Sequence, residues 1–137
     1  MVLVDSNVLL DIVTADPAWL SWSQSALVDA LLDGPVAINQ VIYAEVSVAY
    51  KQLNELDGVL SRLQIQRANL PWEAAHLAGQ AFLKYRHKGG TKSSPLPDFY
   101  IGAHAQCLGL MLLTRDANRY RTYFPKVKLI TPRKARQ

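Results

Sequence analysis

Val2-Leu3-Val4-Asp5-Ser6-Asn7 decides how this chain is read. Three apolar, mostly β-branched residues run straight into a carboxylate. Two residues suited to capping a helix come next, ahead of a short helical stretch from Val8 to Val13 that stops near Pro17. This pattern is a buried strand handing over to a helix, with an acid at the junction. Working outward, Ala18 to Leu32 carries Trp19, Leu20, Trp22, Leu27, Val28, Leu31 and Leu32 at helical spacing, and Gly34 ends it. Pro35 to Asn39 holds a second strand, Val-Ala-Ile. The spacing of Val41, Ile42, Ala44, Glu45, Val48, Ala49 and Leu53 predicts a helix over Gln40 to Leu53, and Leu56 to Leu63 supports another.

Ile65 to Leu70 reads as a brief strand. Trp72 to His87 reads as a long helix opened by Pro71 and Glu73 and closed by Gly89-Gly90. Gly89 to Pro97 is the one obvious flexible loop, followed by a helix over Asp98 to Leu108 and a strand over Leu110 to Leu113. A short helix over Ala117 to Tyr123 and a last strand over Val127 to Ile130 complete the pattern. Strands alternating with helices imply an α/β fold, a central and mainly parallel sheet covered by helices on both faces. No repeat or change of composition divides the chain, so residues 1–132 are expected to form one domain, with a basic tail at 133–137.

The 137 residues, half of them apolar and 19% charged, suffice for a hydrophobic core without staples. The single cysteine, Cys107, excludes an intrachain disulfide and a cysteine-built zinc site, and its apolar surroundings predict a small core residue. The start lacks the basic and apolar regions of a signal peptide, and no apolar run approaches the roughly 20 residues of a membrane span. A cytoplasmic protein is the expectation. The net charge of +4 hides an asymmetry: residues before Lys84 sum to −6, while those from Lys84 onward sum to +10, with Asp98 and Asp116 the only acids there. Such a basic half suits a polyanionic partner such as nucleic acid, although a solubilising surface would look the same.

In a parallel sheet the carboxyl ends of the strands form the ligand-binding edge. Asp5 directly follows the first strand, and Asp116 follows the Leu110–Leu113 strand through Thr114-Arg115. Asp98 opens a helix behind Pro97. Glu45 lies early in the helix after the second strand, among apolar neighbours that leave it little polar face. Each acid alone has an ordinary explanation: a cap for Asp5 or Asp98, a turn for Asp116, a solvated helix face for Glu45. Together they point to one edge. Four carboxylates converging in a partly desolvated pocket repel one another, and a hard divalent cation, magnesium or manganese, relieves the conflict. His76, His87 and His104 show no ligand spacing, and no Gly-x-x-x-x-Gly-Lys phosphate loop is present.

Val4-Asp5-Ser6-Asn7-Val8-Leu9 resembles the opening motif of PIN-domain nucleases. Leu96-Pro97-Asp98-Phe99-Tyr100-Ile101-Gly102-Ala103-His104-Ala105 resembles their third acidic motif. Leu112-Leu113-Thr114-Arg115-Asp116, followed by Tyr120, Phe124-Pro125 and Ile130-Thr131-Pro132, resembles their C-terminal pattern. With Glu45 between, the likeness spans essentially the whole chain, and its small size resembles the VapC toxins of bacterial toxin–antitoxin pairs. The resemblance implies a PIN-like three-layer α/β/α sandwich. Asp5, Glu45, Asp98 and Asp116 would be its catalytic and metal-binding acids, with Asn7, Thr114 and Ser6 in support; Ser6 stands where threonine is frequent. It further implies a Mg2+- or Mn2+-dependent endoribonuclease that cuts RNA, transfer RNA among the candidates, by metal-activated water. A homodimer and a cognate antitoxin partner belong to the same implication.

Lys84, Arg86, Lys88 and Lys92 beside the Gly89–Pro97 loop, and Arg115, Arg119 and Arg121 around Asp116, are candidate RNA contacts. Trp19 and Trp22 are expected to pack in the core, with an antitoxin groove or dimer surface as the minor alternative. Two other functions fit parts of the pattern. A non-catalytic RNA-binding module would use the same basic half without needing the acids. A phosphatase with an aspartyl nucleophile would want a second aspartate two residues after Asp5, where Asn7 stands.

Overall fold

The computed structural model describes residues 1–93 and 95–133. Its first strand, β1 (Val2–Val4), lies at the centre of a five-stranded sheet. It is followed by α1 (Ser6–Val13), α2 (Leu20–Asp33), β2 (Val36–Ile38), α3 (Gln40–Ser47), α4 (Leu53–Arg62) and β3 (Gln66–Arg67). The second half comprises α5 (Trp72–His87), α6 (Pro97–Leu108), β4 (Met111–Leu113), α7 (Asn118–Tyr123) and β5 (Leu129–Ile130). The sheet order is β3-β2-β1-β4-β5 and every pairing is parallel. Helices cover the sheet to give the three-layer α/β/α architecture, which explains why β1, β2 and most of β4 are buried and lack polar alternation.

The strand order reverses at β1. The chain winds from β1 to β2 and β3 on one side, then returns to lay β4 and β5 on the other. A switch point of this kind opens a crevice beyond the carboxyl ends of the two central strands. Val4 is in register with Leu113, and the Asp5 amide donates to the Leu113 carbonyl at 2.8 Å. Asp5 and the Thr114–Asp116 turn therefore leave the sheet side by side at that crevice.

Two packing features seat the helices around it. α5 buries only alanines, Ala74, Ala78 and Ala81, so α6 can approach closely and bury Phe99, Ile101 and Ala105. Gly102 of α6 leaves room for the Phe124 ring, which a side chain there would strike; this close approach holds the end of α7 against α6. Buried His104 pairs through Nδ1 with Asn39 Nδ2 at 3.0 Å, while Asn39 Oδ1 caps α3 by accepting from the Ile42 amide.

Two expectations need correction. The helix over Gln40–Leu53 stops at Ser47. Ser47 Oγ donates to the Ala44 carbonyl, and the Ala49 and Tyr50 amides bond three residues back, which tightens and ends the last turn. Val48 and Leu53, counted as its apolar face, are 81% and 69% exposed, and Leu53 instead begins α4. Cys107 is exposed rather than core, because the last turn of α6 runs past the packed body after Ala105. Of the basic tail, only Arg133 falls within the described residues. Among the described residues no helix is long and apolar enough to cross a membrane.

Candidate active site

Asp5 takes the extended backbone of a helix cap, and its Oδ1 accepts the Ser6 amide at 2.8 Å. Its Oδ2 accepts two hydroxyls, Thr114 Oγ1 at 2.9 Å and Tyr120 OH at 2.8 Å. The carboxyl group is only 3% exposed, so a cap with ordinary local chemistry has become a buried hub. Around it the other acids gather through hydroxyl bridges. Ser6 Oγ donates to Glu45 Oε1 at 2.9 Å, which ties α3 to the start of α1. Tyr120 OH also stands 3.4 Å from Asp98 Oδ1. It has one proton to give, and the shorter bond assigns that proton to Asp5. Asp98 sits in the first turn of α6, which Pro97 opens.

Asp116 is exposed and makes no direct bond to the other three. It belongs with them by position, since it lines the same cavity of about 410 Å³ as Asp98, together with Tyr85, Arg119 and Tyr123. The turn that carries it is braced from α1. Asn7 Nδ2 donates to Thr114 Oγ1 at 3.2 Å, Asn7 Oδ1 accepts the Arg115 amide at 3.3 Å, and the Asp116 amide donates to Thr114 Oγ1 at 3.2 Å.

The electrostatics follow from this convergence. Burial pushes the Asp5 carboxyl above its usual range despite four hydrogen bonds that favour its charged form. Glu45 is raised first by burial, then by the negative charges of Asp5 and Asp98. Asp98 is raised by burial and by Asp5 and Asp116, against a lowering influence from Arg119. Burial and the surrounding carboxylates drive the Tyr120 phenol well above its ordinary value, so it remains a donor at neutral pH. Among the described residues these three acids have no salt-bridge partner, and Arg119 reaches only Asp98, from beyond salt-bridge distance, so the pocket's negative charge is largely unbalanced.

The expected basic residues divide. Arg119 lies over the rings of Tyr85 and Phe99, 5.5 Å from each centroid, beside the acids. Lys88 lies over Tyr123 at 5.3 Å, and Arg86 braces its own loop by donating to the Lys92 carbonyl. Lys84, Lys92 and Arg121 are exposed. Arg115 is committed elsewhere. Its guanidinium grips the buried Asp11 with both edges, Nε to Oδ2 at 2.8 Å and Nη2 to Oδ1 at 3.2 Å, and covers the Trp19 ring at 5.2 Å. Ser23 Oγ completes the Asp11 site at 2.8 Å. Trp22 packs against the core, while Trp19, half-buried, meets it edge-on at 6.2 Å.

Residue-level reading missed Tyr120 as a site residue and Asp11 altogether. A lone acid inside Val8-Leu9-Leu10-Asp11-Ile12-Val13 was the available signal for Asp11. Tyr120 offered only an aromatic on a short helix, which reads as core.

The donor chemistry suits a hard divalent cation: carboxylate oxygens, uncompensated charge and no thiolate or imidazole. Among the described residues, however, no three His, Cys, Asp or Glu side chains stand close enough to hold one ion as they are. Hydroxyls of Ser6 and Tyr120 occupy the spaces between the acids.

A doubly wound sheet with an acid-lined crevice at its switch point defines the class. Within it, the PIN domain model matches residues 2–125, and the chain belongs to the PIN domain family. The fold is also that of several solved structures. VapBC2 from Rickettsia felis, bound to a DNA fragment from their promoter, superposes with a TM-score of 0.71 at 15% identity over 96% of this chain and 98% of that one. VapBC-1 from nontypeable Haemophilus influenzae gives 0.70 at 12% identity over 96% and 98%. A toxin–antitoxin complex from Klebsiella pneumoniae gives 0.66 at 24% identity over 98% and 100%. No functionally curated protein matches the chain.

Proposed function

We propose that this protein is a divalent-metal-dependent endoribonuclease and the toxin of a toxin–antitoxin pair. The observation that carries the reading is the buried Asp5, joined to Glu45 through Ser6 and to Asp98 through Tyr120, with no salt bridge to any of the three among the described residues. Asp5, Glu45, Asp98 and Asp116 would hold Mg2+, with Mn2+ as a substitute. When bound, such an ion supplies positive charge to phosphate oxygens and acidifies the water that attacks phosphorus. The remaining work belongs to the chain. Tyr120 and Thr114 fix the orientation of the Asp5 carboxylate, Ser6 that of Glu45, and Asn7 holds the turn that presents Asp116. Hydrolysis breaks one phosphorus–oxygen bond and forms another to water oxygen, leaving a phosphate monoester and a free hydroxyl.

The basic second half supports a polyanionic substrate, with Lys84, Arg86, Lys88, Lys92, Arg119 and Arg121 as its steering charges. Arg115 loses that role in our reading, because Asp11 occupies its guanidinium. The toxin assignment draws on the toxin–antitoxin complex among the similar structures, and a cognate antitoxin and a homodimer follow as part of it.

The test is incubation of purified protein with total RNA, with Mg2+, with Mn2+ and with excess chelator, beside Asp98→Asn. Discrete new RNA ends that require metal and vanish in the variant are expected. Undiminished cleavage in chelator, or by Asp98→Asn, would rule the mechanism out. Salt-sensitive RNA binding without cleavage under every condition would establish the non-catalytic RNA-binding module instead.

A further inference from the structure

The cavity that holds Asp98 and Asp116 has a second wall. Tyr85 and Tyr123 meet there with ring centroids 6.4 Å apart, and Arg119 lies over Tyr85. The two rings differ in what covers them. Phe82 stacks on Tyr85 at 5.9 Å with 28° between the planes, and Arg119 lies over the same ring, so Tyr85 is occupied. Tyr123 makes edge-type contacts with Tyr85 and Phe99, and beyond these only the flexible Lys88 ammonium lies over it. Arg119 has no carboxylate within salt-bridge distance among the described residues, although Asp98 is near enough to feel its charge. A guanidinium seated on aromatic rings beside an acid cluster, with its donors unspent on any carboxylate, is available to a phosphate.

We propose that this recess binds one unpaired nucleotide next to the cleaved phosphate, with its base on Tyr123 and its phosphate on Arg119. The inference rests on the nuclease reading and adds to it the two side chains that hold the nucleotide beside the cut. An open recess of about 410 Å³ has room for a single nucleotide. A base held in a helical stack cannot reach Tyr123, whereas single-stranded loops and ends present splayed bases to aromatic shelves. Lys88 moves off the ring as the base arrives and finds the neighbouring phosphate.

Binding is measured by fluorescence anisotropy in chelator, so that no cleavage intervenes. The probes are a labelled adenylate pentamer, the same backbone made abasic at every position, and an RNA duplex of the same length. Wild type should bind the single strand at least about tenfold tighter than the duplex, and loss of the bases should cost at least about tenfold. Tyr123→Leu should lose about tenfold on the intact pentamer and nothing on that abasic probe, while Tyr123→Phe keeps wild-type affinity. Arg119→Gln should weaken intact and abasic probes alike and reduce the salt slope by about one phosphate. Equal affinity for duplex and single strand, or a Tyr123→Leu loss that is absent or equal on all probes, overturns the proposal. Thermal melts of both Tyr123 variants separate lost binding from lost fold. RNA cleavage in Mg2+ is scored in parallel: cleavage with a neutral Tyr123→Leu defeats the recess alone, whereas no cleavage with the binding pattern intact defeats the nuclease reading alone.

Discussion

Asp5 and Asp11 lie six residues apart, both 3% exposed, and the protein treats them in opposite ways. Asp11 receives a guanidinium on both oxygens and a serine hydroxyl besides, a closed and neutralised site. Asp5 receives an amide and neutral hydroxyls only, and faces Glu45 and Asp98 across them. Burying an acid is costly in both places. Where the chain offsets that cost with its own arginine, the acid is structural. Where it leaves the charge unbalanced beside other acids, a cation from outside has a place. In the proposed function the missing counter-ion, and not burial alone, is what marks the site.

The largest effect should come from exchanging the amide for the acid at each position. Asp5→Asn is expected to lower RNA cleavage by about 10³-fold, roughly 4 kcal/mol of transition-state stabilisation, with the fold intact. Asp11→Asn should instead strike stability, because it leaves a guanidinium without its partner. Breaking a buried pair costs about 3–5 kcal/mol, and since Arg115 is 31% exposed a loss of about 2 kcal/mol in urea unfolding is the discounted figure. Activity per folded molecule should fall far less than in Asp5→Asn. If Asp11→Asn were as inactive as Asp5→Asn while equally well folded, the distinction between the two acids would collapse.

The comparison also explains what could be read without coordinates. Asp5 and Asp116 were legible because apolar β-runs point to buried strands, and the ends of parallel strands collect function. The hub itself was not. Tyr120 acts through a hydroxyl that matters only once Gly102 lets Phe124 and α7 close on α6, a contact made across 22 residues. Arg115 looked like a phosphate contact because its charge is visible in the sequence while its commitment to Asp11, 104 residues away, is not. Helix α3 ended early for a local reason, the serine back-bond at Ser47, which apolar spacing ignores.

A smaller effect is expected from Tyr120→Phe. It removes one donor from Asp5 and leaves the ring in place, at a cost of about 1 kcal/mol in stability. Losing a bond that favours the carboxylate raises the Asp5 value further. The acid limb of the cleavage–pH profile, where the acids must ionise, should therefore move to higher pH than in wild type, with about a tenfold loss below that limb. An unchanged limb would mean that Tyr120 only packs.

The smallest effect concerns stability alone, and its sign is the informative part. Burial and mutual repulsion raise Asp5, Glu45 and Asp98, so in chelator the native chain binds more protons than the unfolded one between the ordinary carboxylate values, about 4, and the raised ones. Across that window stability falls as pH rises, the reverse of an acid whose own arginine lowers its value. At neutral pH the charged acids therefore strain the fold, and Asp98→Asn should raise the melting temperature by about 2 °C in chelator while flattening the decline with pH. Mg2+ should stabilise wild type more than Asp98→Asn, since an ion that binds only the native state shifts unfolding by mass action. Melts from pH 4.5 to 7.5, with and without Mg2+, decide the matter. If Asp98→Asn melted below wild type in chelator at neutral pH, Asp98 would be a stabilising cap like any other, and the contrast with Asp11 would have to be drawn from Asp5 and Glu45 alone.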